Sequence, residues 1–279
     1  MEDVLSQLTS TEETVIFSSG YLAGQTIAAI LGQNSNIFIA PGSHPSIRIA
    51  GCEMPEESFT EWIDRITSQI NNSNEQEFIL VADSVNIFEG IMNDFSFVKA
   101  FPMSKKFILL IDDSHGIGVI GENGEGIAST IPGQQNVECI YSYSLSKAFN
   151  IQGGAVSTSS RFCKIIREHP NYSGSSSISP AAAYAFLKST ELYHSQKIKL
   201  EENIAEFINC ADLPFKKQRL PIFICNQQNA VNIFYDNHII ISSFSYPFSD
   251  SILTNRVIIN ALHNKEDIHK SAALWNLLQ

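Results

Sequence analysis

Three short apolar runs bounded by polar residues restrict this chain more than any other feature. They are Phe78 to Asp83 (FILVAD), Lys106 to Asp112 (KFILLID) and Glu138 to Ser144 (ECIYSYS). Continuous runs of this length suit strands covered on both faces, as in a parallel sheet. The stretches Tyr21 to Leu31, Pro55 to Ile70 and Arg161 to Glu168 read as helices. Strands alternating with helices predict an α/β fold with a mainly parallel sheet flanked by helices.

The segment Asn171 to Pro180 (NYSGSSSISP) reads as a connector. The expected division is a large domain over 1–180 and a linking helix with a small α+β domain over 181–279. In the second part, Ala181 to Leu192 predicts a helix that leads into a longer one ending near Asn209. The tail then reads as short strands (PIFIC, AVNIFY, HIIISSF, RVIINAL) and a last helix from about Lys265.

Composition removes several function classes. No apolar run approaches the roughly 20 residues needed to cross a bilayer, so no membrane span is expected. Met1 to Glu13 is polar and acidic, unlike a secretory signal. A formal net charge of −11 argues against a nucleic-acid partner, which would call for a basic face. The five cysteines, Cys52, Cys139, Cys163, Cys210 and Cys225, form no CxxC pair. They read as reduced thiols of a cytoplasmic protein, with neither a zinc site nor a disulfide framework, and no metal is expected.

Three segments at strand ends or helix starts carry chemistry, because open α/β sheets bind ligands there. Asp112 closes the strand KFILLID, and His115 follows three residues later. A carboxylate so placed can hold a cationic ring nitrogen or simply cap the turn. Lys147 follows ECIYSYS in Ser144-Leu145-Ser146-Lys147-Ala148-Phe149. Its flanks are small or apolar, and a partly desolvated lysine favours the amine form that Schiff-base chemistry needs. Phe17-Ser18-Ser19-Gly20-Tyr21 precedes a helix with no acid in its first turns, where exposed N–H groups can cradle phosphate or the serine can serve as an ordinary N-cap. A fourth segment, Gly116-Ile-Gly118-Val-Ile-Gly121, matches GxGxxG. The dinucleotide fingerprint requires a helix to open at once, and Glu122-Asn123-Gly124-Glu125-Gly126 is poor helix material, so this match is read as a decoy.

Two linked stretches carry a resemblance. IDDSHGIGVIGENGEG looks like the D-[DE]-A-H-[GS]-x-G-x-x-G-x-x-G-x-G signature of the α-oxoamine synthases. SYSLSKAFNIQGGAV looks like their T-x-S-K-A-x-G-x-x-G-G signature, and the 35-residue gap from Asp112 to Lys147 also fits. Weaker matches are FSSGYLAG, GSHPSI, SSSISPAAA and NRVIINALHNKEDI. That family includes 8-amino-7-oxononanoate synthase, glycine C-acetyltransferase, 5-aminolevulinate synthase and serine palmitoyltransferase. It lies within the fold-type-I, aspartate-aminotransferase-like enzymes, which use pyridoxal 5'-phosphate.

The resemblance implies a role for each matching residue. Lys147 would form the Schiff base with the cofactor and later act as acid and base at the substrate α-carbon. Asp112 would pair with the pyridine N–H, which keeps the ring an electron sink. His115 would bond the ring's phenolic oxygen, and His44 would stack on the ring face. Gly20 and Tyr21 would offer backbone donors to the phosphate, and Ser144 its hydroxyl. Ser176 would match the Ser/Thr that reaches the phosphate from the partner subunit of a homodimer. Arg256 would bind the α-carboxylate of the amino acid, a job suited to a planar guanidinium. The substrates implied are an amino acid and an acyl-CoA.

The departures are specific. The chain is shorter than typical members, and the match begins well inside the family pattern, whose N-terminal part supplies one side of the substrate cleft. Ser114 stands in place of an alanine, Ile87 of a serine and Asn150 of a glycine, and the stretch from about Lys199 to His238 reads as shortened. Three outcomes stay open: amino-acid and acyl-CoA condensation, an aminotransferase or other reaction with the same cofactor, and a non-catalytic partner subunit or relic.

Overall fold

The computed structural model describes residues 1–213, 220–245 and 253–278. It separates into two compact units: Met1–Val85 with Asn93–Thr190, and Asn86–Met92 with Glu191–Gln279.

The first unit is built on one six-stranded sheet. Its strands are β1 (Glu13–Phe17), β2 (Ile37–Ile39), β3 (Glu77–Asp83), β4 (Lys106–Asp112), β5 (Val137–Ser144) and β6 (Gly154–Thr158). The order across the sheet is β1-β6-β5-β4-β3-β2. Strands β2 to β5 are parallel, and β6 runs antiparallel to both β5 and β1. The three apolar runs of the sequence are the parallel strands β3, β4 and β5. The expected mainly parallel sheet is present, with the antiparallel β6 inserted between β5 and β1. Register pairs Asp83 with Asp112, so β3 and β4 finish level, and Asp112 with Ser142, so β5 runs two residues further.

Helices α1 (Glu2–Leu8), α2 (Gly20–Leu31), α3 (Phe59–Asn72), α4 (Ser160–Glu168), α5 (Pro170–Ser173) and α6 (Pro180–Lys188) belong to this unit. One core cluster joins Ala23, Ile27, Ala28 and Leu31 of α2 to Val15, Val81, Leu110, Ile140 and Val156 of the sheet and to Phe162 and Ile166 of α4. Burying each large apolar side chain contributes about 1.5–3 kcal/mol. Trp62, Ile66 and Ile70 recur every four residues and form the buried stripe of α3. Aromatic rings fill a further part of the core: Trp62 meets Phe59 and Phe97, and Phe101 stacks on Phe107 with centroids 4.2 Å apart.

The helix expected from Pro55 starts at Phe59. Ser58 and Glu61 form a reciprocal capping box there, which fixes the start more firmly than apolar periodicity could. Lys105 is buried, and its Nζ donates to the carbonyls of Ile70 and Ser73, both at 2.6 Å. These acceptors lie at the C-terminus of α3, where carbonyls lack helical partners and a cation is favoured. The first unit extends to Thr190, ten residues beyond position 180. Phe186 of α6 is buried against Phe149 of that unit, with ring centroids 5.3 Å apart.

The second unit holds most of α7 (Thr190–Cys210), together with α8 (Ala230–Asp236), α9 (Lys265–Asn276) and the antiparallel strands β7 (Ile222–Cys225), β8 (Ser242–Ser245) and β9 (Leu253–Ile258), in the order β8-β9-β7. Phe207, Phe223, Phe234, Val257 and Trp275 share its core. AVNIFY, expected as a strand, is the helix α8. Ala230 and Phe234 are buried one turn apart, and helical spacing alone brings both inward. Residues 214–219, within the stretch that reads as shortened, lie outside the described residues. No helix among the described residues is long and apolar enough to cross a membrane.

Candidate active site

The candidate residues of the first unit, Ser176 excepted, gather around the carboxyl ends of β3, β4 and β5. Asp112 ends β4 and is buried, with 7% exposure. Its Oδ1 accepts the Ser114 N–H at 3.0 Å, and its Oδ2 accepts the Ser46 hydroxyl at 2.7 Å. His44 Nδ1 lies 3.7 Å from the same Oδ2 and 2.7 Å from Ser46 Oγ. Ser46 therefore sits between the imidazole and the carboxylate. Burial holds the His44 ring below the usual histidine range, against the opposing pull of Asp112.

Helix α2 supports this arrangement from behind. Gln25 Nε2 donates to the carbonyls of Pro45 and Ser46 at 2.8 and 3.0 Å. Gly24 lets the helix approach, since a Cβ there would stand 2.7 Å from the Ser46 carbonyl oxygen.

Lys147 follows β5, and its Nζ lies 2.9 Å from His115 Nε2. The lysine side chain is exposed, where the sequence suggested a partly desolvated amine. Ser114, the departure from the family alanine, also has a structural part. Its hydroxyl accepts the Ser144 N–H at 2.9 Å and ties the end of β5 to the turn after β4.

The first turn of α2 meets the end of β5. A Cβ on Gly20 would stand 2.7 Å from Ser144 Cβ and 2.8 Å from its Cα, so only glycine permits this approach. Ser19 caps the helix by accepting the Leu22 N–H at 3.1 Å. The N–H groups of Gly20 and Tyr21 have no partner within the helix by construction, and no acid occupies the first turn. Ser144 Oγ lies 2.8 Å from Ser146 Oγ and accepts the Ser146 N–H at 3.2 Å. Helix N–H groups and a serine hydroxyl thus stand together where an anion can be bound.

This set fits pyridoxal 5'-phosphate: a buried carboxylate for a cationic ring nitrogen, a primary amine beside an imidazole, and anion donors at a helix start that glycine alone can bring so close. The aminotransferase class I and II family matches residues 3–216. The chain belongs to that family. It is 27% identical to the 8-amino-7-oxononanoate synthase of Petrotoga mobilis over 96% of this chain and 73% of that protein. The fold superposes on the 8-amino-7-oxononanoate synthase of Francisella tularensis with a TM-score of 0.75 and 22% identity, over 99% of this chain and 85% of that one. Against the serine palmitoyltransferase of Sphingomonas wittichii the TM-score is 0.80 at 17% identity, over 99% of this chain and 74% of that one. These structural likenesses establish the aspartate-aminotransferase-like architecture.

Ser176 and Arg256 are the remaining candidates. Ser176 is exposed on the segment after α5 and makes none of the contacts above. Arg256 belongs to the second unit, on β9. Its Nη2 donates to Ser242 Oγ at 3.4 Å, and its guanidinium lies 4.4 Å from the centroid of the Phe244 ring. Burial lowers its pKa from the ordinary arginine value.

Two residues that contact the candidates are not singled out by the sequence. Ser46 lies within GSHPSI. Asp83 was noted only as the end of a strand, although FILVAD ends in aspartate just as KFILLID does. Asp83 Oδ1 accepts the His44 N–H at 3.1 Å.

The glycine-rich loop after His115 has a structural task. Its Gly116 and Gly126 flank the buried Asp113 carboxyl, where a Cβ on either would fall within about 2 Å of a carboxyl oxygen. Asp113 Oδ2 accepts the Ile127 N–H at 2.9 Å. Of the GxGxxG glycines only Gly116 approaches this carboxyl; Gly126, on its other side, lies beyond the match. A concavity of about 860 Å³ opens at the opposite strand ends around Glu77, Lys106 and Val137, and none of the candidate residues lines it.

Proposed function

We propose that this chain is a pyridoxal 5'-phosphate-dependent transferase that condenses an amino acid with an acyl-CoA, as in 8-amino-7-oxononanoate synthase. The observation that carries the reading is the 2.9 Å approach of Lys147 Nζ to His115 Nε2 beside the buried Asp112. Pyridoxal phosphate, when bound, supplies an electron sink for negative charge at the amino acid's α-carbon.

The chain's own residues divide the remaining work. Lys147 would hold the cofactor through its Nζ and then move a proton at the substrate α-carbon. His115, at hydrogen-bond distance, keeps that amine oriented and bonds the phenolic oxygen. Asp112 supplies the negative charge that retains a proton on the ring nitrogen, and Ser46 and the Ser114 N–H hold it in place. His44 covers the ring face. Gly20, Tyr21 and Ser144 take the phosphate. Arg256 takes the α-carboxylate, for which a guanidinium fork is suited. A homodimer in the cytoplasm is the assembly this reading carries, with Ser176 serving the partner subunit's phosphate site.

The test is CoA release. The purified chain, loaded with pyridoxal phosphate, is incubated with acyl-CoA thioesters and with glycine, alanine or serine in turn, and free thiol is titrated. Thiol release that needs both substrates and Lys147 supports the reading. Amino-group transfer to a keto acid without CoA release would replace it with an aminotransferase, the second reaction the family match allows.

A further inference from the structure

The carboxyl ends of β3 and β4 carry two aspartates, Asp83 and Asp112, paired in the parallel register. Their environments differ. Asp112 receives the Ser46 hydroxyl and the Ser114 N–H, with His44 Nδ1 3.7 Å away. Asp83 Oδ1 receives one backbone donor, the N–H of His44, at 3.1 Å. That donor belongs to the residue whose imidazole lies beside Asp112. His44 is therefore gripped twice, at its main chain by Asp83 and at Nδ1 by Ser46. His44 also caps the short turn Pro45–Ile47 that delivers Ser46 to Asp112.

We propose that Asp83 is a positioning residue of the cofactor site, which fixes the His44 main chain and so places both the imidazole and Ser46 against Asp112. The inference rests on the cofactor reading above and adds a residue to it. Asp83 does this as the protonated partner of the pair. Two neighbouring carboxylates cannot both ionise without cost, and Asp112 has the better set of donors. Burial, and then the Asp112 charge, hold the Asp83 carboxyl well above the usual range. The groups facing it are Asp112 on β4, His44 and Arg48 on the loop after β2, and Lys147 after β5. The cations and the His44 N–H pull the other way and do not cancel burial. A neutral Asp83 adds no second charge opposite Asp112, the residue proposed to meet the ring nitrogen.

The experiment compares wild type, Asp83→Asn and Asp83→Ala as full-length chains. Cofactor affinity is read from the lysine-dependent visible band, and thermal midpoints are read across pH without cofactor. Asparagine keeps the acceptor for the His44 N–H and mimics a neutral carboxyl, so its affinity should stay within about threefold of wild type. Alanine leaves the His44 N–H without its acceptor, and affinity should fall about tenfold. A folded pKa raised above the unfolded one means stability present at low pH and lost as pH rises through the folded value. The midpoint of Asp83→Asn relative to wild type should therefore climb with pH above the ordinary aspartate range.

Equal loss of affinity in both variants would overturn the proposal, as would a midpoint difference that ignores pH. A wild type with no lysine-dependent band defeats the cofactor reading instead. The pH series in the absence of cofactor would still report whether Asp83 holds its proton against His44.

Discussion

Lys147 Nζ and His115 Nε2 stand 2.9 Å apart, although 32 residues separate them along the chain. The two follow β5 and β4, adjacent parallel strands whose carboxyl ends lie within two residues in register, so the sheet brings together the turns that carry them. A primary amine and an imidazole at this distance can exchange a proton in one step.

Replacing Lys147 by alanine should abolish the visible band that the wild type develops with pyridoxal phosphate. His115→Ala should keep the band and lower turnover by about a hundredfold or more, since the amine loses its oriented neighbour. Absorption spectra and thiol release on the same preparations measure both effects. A band that survives Lys147→Ala would remove the lysine from its assigned role.

Ser46 is fully buried and donates to Asp112 at 2.7 Å. Hydrogen bonds to charged groups contribute about 1.5–3 kcal/mol. Ser46→Ala should therefore weaken cofactor binding roughly tenfold or more, and Asp112→Asn, which removes the charge itself, should weaken it further. Titration of the visible band gives both affinities.

Gly20 lies against Ser144, and an added methyl would overlap Ser144 Cα and Cβ. Gly20→Ala should cost about 1–3 kcal/mol of stability through overpacking. It should also reduce affinity for the cofactor more than for its dephosphorylated form, pyridoxal. Chemical denaturation and parallel titrations with the two compounds separate these effects.

Arg256 carries a planar fork of donors on β9, stacked on Phe244. Arg256→Ala should raise the KM for the amino acid roughly 10- to 100-fold and leave cofactor affinity unchanged. Arg256→Lys should restore little, because a point charge cannot reproduce two parallel bonds to a carboxylate. Equal KM values for wild type and Arg256→Ala would show that the α-carboxylate is held elsewhere.

Asp113 is buried between Gly116 and Gly126, and burial pushes its carboxyl up to about 7. The folded value exceeds the unfolded one, so its contribution to stability is complete below about pH 4 and is lost as pH rises through about 7. Asp113→Asn should flatten that decline, with a difference on the order of a few kcal/mol between its ends. Thermal midpoints of the two proteins between pH 4 and 8 provide the measurement.

How far the sequence could be read depended on how local each feature is. The runs FILVAD, KFILLID and ECIYSYS announced buried parallel strands because continuous apolar character and short length are properties of the segment itself. Strands β1 and β6 went unseen. Their pairing with each other, Val15 opposite Val156, supplies what their five-residue sequences do not. AVNIFY had β-branched and aromatic residues and still became helix α8, because Ala230 and Phe234 find the second unit's core only at helical spacing. The GxGxxG stretch reads as a decoy because poor helix material follows it, and the contact of Gly116 and Gly126 with the buried Asp113 carboxyl is visible only in the fold.

By itself the sequence determined the class of fold and the family, and it singled out the lysine, aspartate and histidines proposed to carry the chemistry. Those follow from residue types at fixed short spacings. Tertiary structure alone decided which groups meet: Lys147 with His115, Ser46 with Asp112, Asp83 with His44, and Gly20 with Ser144. The reason is physical. Parallel strands are joined by long crossovers, so residues that end neighbouring strands are far apart in the chain, and only the register of the sheet makes them neighbours.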